Sequence, residues 1–164
     1  MSTHRVFDPL RYPLLLLVAF LVLSFPAVGH AQRDPAIGNW KLNLAKSKFA
    51  PGTVPTNQTV TIEAAGQGIK VTSTTLRANG KRIEVHYTAY LDGKDYPVTG
   101  SPDYDTVSLK RNGVTVEGTR KKDGQVVQTY QRVVSEDRKM MTVATTGKDA
   151  TGQTLNSVAV FERR

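Results

Sequence analysis

The feature that most limits what this chain can fold into is a run of short alternating segments, each cut off by a glycine-containing turn. Asn79-Gly80, Asp92-Gly93, Asn112-Gly113 and Asp123-Gly124 punctuate stretches rich in Val, Thr, Ile and Tyr. Alternation with a period of two places side chains on opposite faces of a strand, and Asn-Gly or Asp-Gly between two such runs is the strongest short-range hairpin signal. No segment shows a sustained helical period. The expected strands are 38–42, 59–63, 69–76, 83–90, 94–98, 106–110, 114–121, 126–134, 140–146 and 154–162. Hairpins without long crossovers describe an antiparallel up-and-down meander. Closing that meander into a β-barrel removes its exposed edges, and a Greek-key sandwich is the structural alternative. The fold class expected is thus all-β, with a barrel of about 8–10 strands.

Two stretches interrupt the pattern. Residues 1–31 read as a secretory signal peptide: Arg5 and Arg11 precede the uncharged run from Leu14 to Leu23, and Ala27, Gly29 and Ala31 offer small residues for cleavage after Ala31. The apolar run is too short for a good membrane span, so the mature protein is expected to carry none. With no cysteine in the chain, neither a lipid-modified N-terminus nor a disulfide framework is available. Export to a periplasm or beyond is the expected localisation, with residues 32–164 as a single barrel domain and a monomer. The second interruption is 44–57, where Pro51-Gly52 and Pro55 forbid a long helix. One short helical turn over 44–49 fits there, as a binding loop or as a loop packed through Phe49 against a barrel end.

The chain carries a net charge of +8, which favours anionic surfaces or ligands. Its basic clusters, Lys110-Arg111, Arg120-Lys121-Lys122 and Arg163-Arg164, read as solvated strand ends and turns. They lack the interleaved aromatics of a nucleic-acid platform, so no nucleic-acid partner is expected. No nucleophile elbow, phosphate loop or dinucleotide fingerprint occurs, and neither an enzyme nor a cofactor is expected. His86, the sole histidine after residue 31, alternates with Tyr87 and should point outward, and alone it is a poor metal ligand. Asp92, Asp95, Asp103 and Asp105 crowd one region, but their spacing does not match a calcium loop and turn chemistry explains them.

Trp40, the only tryptophan, shares a face with Leu42 and is expected to plug one end of the barrel, with Gly38 permitting close backbone approach beneath it. Gln128, Tyr130 and Arg132 share a face of one strand. If that face points inward, Arg132 becomes a buried cation seeking an anion and Tyr130 its hydrogen-bonding neighbour. The alternatives are that Arg132 faces solvent, or that it stacks on Trp40. Tyr87 and Phe161 complete the candidate ligand contacts, and Tyr87 and Tyr90 are also read as packing residues.

The segment Ile37-Gly38-Asn39-Trp40-Lys41-Leu42 resembles the opening Gly-x-Trp strand of the calycins, the lipocalins and fatty-acid-binding proteins. Ala159-Val160-Phe161-Glu162-Arg163 is similar to the last strand of the fatty-acid-binding group. Trp40-Lys41-Leu42-Asn43 and the segment 92–100 also look like parts of small exported bacterial lipocalin-like proteins. The resemblance implies a cup-shaped barrel around a small apolar or amphipathic ligand. It does not carry over that group's Arg-x-Tyr carboxylate anchor, because Ala159 and Phe161 stand at those positions, nor its helical lid, because 44–57 is too short and proline-rich. Three functions follow as alternatives: an exported ligand binder, an envelope interaction protein with a filled core and a working basic surface, or an enzyme with an ionisable pair inside the cavity.

Overall fold

A computed structural model describes residues 34–50 and 54–164. The expected signal peptide and its cleavage site lie outside these residues. Ten strands follow one another: β1 Gly38–Leu42, β2 Pro55–Ala65, β3 Gly68–Arg77, β4 Arg82–Ala89, β5 Asp92–Thr99, β6 Thr106–Asn112, β7 Thr115–Lys122, β8 Gln125–Val134, β9 Met140–Lys148 and β10 Thr154–Arg163. Each pairs antiparallel with the next, and β1 pairs with β10, so the sheet closes into a barrel. This is the calycin-like meander that the two ends of the chain imply, and it excludes the Greek-key sandwich. Closure gives every strand a partner on each side, although β4 and β5 pair through only two residues each.

The up-and-down path puts the turns after β2, β4, β6 and β8 at one end, together with the start of β1. The other end carries the segment after β1, the 99–105 loop and the hairpins after β3, β7 and β9. At the first end, Trp40 is 1% exposed and donates its indole N–H to the Ala36 carbonyl at 2.7 Å. Ile69, Leu109, Met141 and Val107 are the other large side chains removed most completely from water. Each such burial contributes about 1.5–3 kcal/mol.

The local chemistry differs from expectation at several places, among them the Asn112-Gly113 turn, where Asn112 pairs with Thr115 and the turn falls on Gly113 and Val114. Asn79 keeps a negative φ, and only Gly80 (φ 76°) enters the left-handed region. The Gly80 N–H donates to the Arg77 carbonyl and the Arg77 N–H to the Lys81 carbonyl, which makes a three-residue loop with a bulge instead of a two-residue turn. Asp92-Gly93 lies within β5 at a bulge, not in a hairpin turn, and Asp92 accepts the Lys94 N–H. The β4–β5 seam is short, with His86 opposite Thr99 and Tyr87 opposite Val98. Between β1 and β2, the helical turn is a single 3-10 turn at Leu44–Lys46, capped by the Asn43 side chain. Pro55 begins β2 rather than lying in a loop, at the strand position where a missing N–H costs least.

Candidate functional site

The inward faces of β2–β4 and β7–β10 surround a cavity of about 450 Å³. This lies within the range of small-molecule sites. Its wall is apolar along Val60, Ile62, Val71, Ile83, Val85 and Phe161, and hydroxyl-bearing at Ser73, Thr75, Thr145 and Ser157. Phe49 and Val54 also line it, so the segment after β1 both packs against the core and contributes to the wall.

All five candidate ligand contacts line this space: Tyr87, Gln128, Tyr130, Arg132 and Phe161. Alternation along β8 brings the middle three inward, at 3%, 6% and 5% exposure. His86 turns to the outer side, where it meets Thr72 and Glu84. Tyr90 is half-exposed and packs against Tyr96.

Arg132 does not face solvent and does not stack on Trp40. Its Nη2 donates to Asp34 Oδ2 at 2.5 Å, and Arg111 Nη2 lies 3.2 Å from the same oxygen. Asp34 Oδ1 accepts the Ala36 N–H at 2.9 Å. The short lead-in to β1 therefore folds across the barrel end and delivers a carboxylate to the inner arginine. The stacking role belongs to Arg163, whose guanidinium carbon lies 4.3 Å from the Trp40 ring centre. Arg163 sits directly opposite Trp40 across the β1–β10 seam. It donates to the carbonyls of Ile37, Pro35 and Arg138, so it is not a solvated strand end. Gly38 (φ 141°) admits this guanidinium, since a Cβ there would lie 2.2 Å from Arg163 Nη1. The close approach is thus to Arg163 and not to Trp40.

Arg120 also departs from its expected solvated position. It follows Val116 and Gly118 on the inward face of β7 and lines the cavity. Its guanidinium carbon lies 4.8 Å from the Tyr104 ring centre and 4.5 Å from that of Tyr130. Nη1 donates to Gln128 Oε1 at 2.8 Å, and Gln128 Nε2 donates to the Lys148 carbonyl at 3.0 Å. Gln128 is thereby oriented with its oxygen toward Arg120. Gly118 makes room for the arrangement: Tyr130 lies opposite it, and a Cβ there would fall 2.1 Å from the Tyr130 ring.

Among the described residues, the arginines in ion pairs are Arg77, Arg82, Arg111 and Arg132, and Arg120 is not one of them. Burial works against its charge, but Tyr104, Tyr130, Tyr87 and Asp103 together hold it above its ordinary value. It remains a cation. Burial pushes the Tyr87 phenol well above its usual range, with Tyr130 and Tyr104 adding to the shift and Arg132 and Arg120 opposing it. Burial likewise raises Tyr104, against the pull of Arg120. Both phenols keep their protons at neutral pH and can donate hydrogen bonds.

The four aspartates serve separate structural contacts. Asp95 meets Lys121, Asp103 meets Arg77 and the Ala150 N–H, and Asp105 accepts the Asp123 N–H. No group of three or more potential metal ligands occurs among the described residues. No described helix is long and apolar enough to cross a membrane.

No protein-family model matches the chain, and no curated protein matches it. Among solved structures, it is similar to zebrafish ileal bile acid-binding protein complexed with cholic acid, at 11% identity and a TM-score of 0.49, over 79% of this chain and 99% of that one. It is similar to Rv2717c from M. tuberculosis, at 13% identity and a TM-score of 0.49, over 79% and 93%. A siderocalin, Ex-FABP, is similar at 13% identity and a TM-score of 0.36, over 79% and 74%. These likenesses are distant. The calycin-like barrel stands on its own strand order and closure.

Proposed function

We propose that this protein is an exported binder of a small amphipathic molecule, held inside the barrel with its polar end at Arg120 and its apolar part against β2, β3 and β4. The supporting observation is an internal space of about 450 Å³ with an aliphatic stretch along β2, β3 and β4 and an inward-facing, partly buried Arg120 that is outside any ion pair among the described residues. Asp103 acts on Arg120 without forming an ion pair with it, and a guest of opposite charge would offset the remaining cost of desolvating the guanidinium. The cavity supports this reading over the envelope-interaction alternative, which calls for a filled core. Export rests on the leader at 1–31 and the lack of cysteine.

Native mass spectrometry of the protein isolated from its own cell envelope tests this reading. A co-purified small molecule, lost on denaturation, is the expected result. A clean apo mass under gentle conditions, with no thermal stabilisation by amphiphiles, would sink it.

A further inference from the structure

The chain carries the same dipeptide in two hairpin loops, Asn79-Gly80 after β3 and Asn112-Gly113 after β6. Asparagine followed by glycine has a chemistry of its own. The glycine nitrogen can attack the asparagine Cγ, because no side chain on the following residue hinders the approach. The other asparagines precede Trp40, Leu44, Gln58 and Ser157, whose side chains do hinder it. The structure sets the two Asn-Gly pairs apart. At the first, the Gly80 N–H donates to the Arg77 carbonyl at 3.0 Å. Asn79 Oδ1 accepts the Lys81 N–H at 3.0 Å, which polarises the amide carbon, but the nitrogen that must attack it is tied up. At the second, no described group accepts the Gly113 N–H. Asn112, Gly113 and Val114 are all exposed, and the space beside the Gly113 Cα is open. The Asn112 amide donates through Nδ2 to Glu117 Oε1 at 3.3 Å.

We propose that Asn112 is a self-modification site, converting to aspartate and isoaspartate at a rate set by the free Gly113 nitrogen. That nitrogen gives up its proton and bonds to Asn112 Cγ, the Cγ–Nδ2 bond breaks, and ammonia leaves with the proton. Water then opens the cyclic imide at either carbonyl, so the only co-reactant is solvent. Either product replaces the donor to Glu117 with a second carboxylate, and like charges at that range repel. Isoaspartate also adds a methylene to the main chain at the rung where Asn112 faces Thr115. That rung directly follows Arg111, the residue that reaches Asp34. The modification thus loosens the β6–β7 hairpin and its hold on the closed end of the barrel.

Peptide mapping by mass spectrometry of the purified protein, incubated folded at mildly alkaline pH, tests this. Residue 112 should convert about tenfold faster than residue 79, the factor that a hydrogen bond on the attacking nitrogen imposes. In concentrated urea, where that bond is gone, the two rates should come together. Equal rates in the folded protein, or faster conversion at residue 79, would overturn the proposal. So would a difference that survives in urea, since it would then belong to the neighbouring residues and not to the fold. Asn112→Asp reproduces one product and should unfold at lower urea than the unaltered protein, and adding Glu117→Gln should recover most of that loss. An unchanged midpoint for Asn112→Asp would overturn the effect on the hairpin.

Discussion

Arg120 and Arg132 are the same residue type on neighbouring strands, facing the same interior, and they do opposite things. Arg132 is joined to Asp34 and closes the end of the barrel. Arg120 lies between Tyr104, Tyr130 and Gln128 without an ion pair among the described residues. What an inward-facing arginine does is set by whether the chain brings it a carboxylate. A paired one supports the fold, and under the proposed function an unpaired one keeps its charge available to a guest.

The largest expected break in this contrast is Arg132→Met, which leaves Asp34 buried with only the half-exposed Arg111. Loss of one partner from a buried pair should cost about 3 kcal/mol in urea unfolding. A loss under about 1 kcal/mol would show that the pair contributes little. Next comes Gly118→Ala. The added methyl must push the Tyr130 ring aside, costing about 1–3 kcal/mol as overpacking does.

Alkali provides a third test. The folded phenols of Tyr87 and Tyr104 titrate above their ordinary value because burial opposes the charged form. The unfolded chain therefore loses these protons first. Their stabilising contribution is complete below about pH 10 and is lost as pH rises through the folded values, at about 1.4 kcal/mol per pH unit for each proton. Tyr87→Phe should make the alkaline limb of a denaturation profile shallower, and an unchanged limb would count against a buried phenol there. The smallest effect belongs to Arg120→Met. Relief from desolvation offsets two lost ring contacts and part of the lost Gln128 hydrogen bond, so stability should fall by only about 1 kcal/mol. A drop as large as that for Arg132→Met would abolish the distinction between the two arginines.

The same pair shows what was legible in the letters. Strand alternation was written plainly enough to place all ten strands, and a period of two carried Gln128, Tyr130 and Arg132 to the inside together. Arg120 was masked by its neighbours Lys121 and Lys122, which make the segment look like a basic turn. The usable signal was Val116-x-Gly118-x-Arg120, an apolar face continuing into the arginine. A register shift just after Arg120 also breaks the alternation there, and a bulge is invisible without the partner strand. Asp34 had no signal at all. It lies in an unpatterned lead-in and meets Arg132 at a separation of 98 residues, a contact that only the closed barrel creates. Arg163 was hidden likewise, since its relation to Trp40 depends on the seam between the first and last strands.

That seam has a consequence for how the molecule comes into being. A ring fastened between its first and tenth strands is finished only when β10 has been made. Until Arg163 arrives, the indole lacks its cover and β1 keeps one bare margin, so every shorter nascent chain must remain open. Such late, long-distance closure is slow.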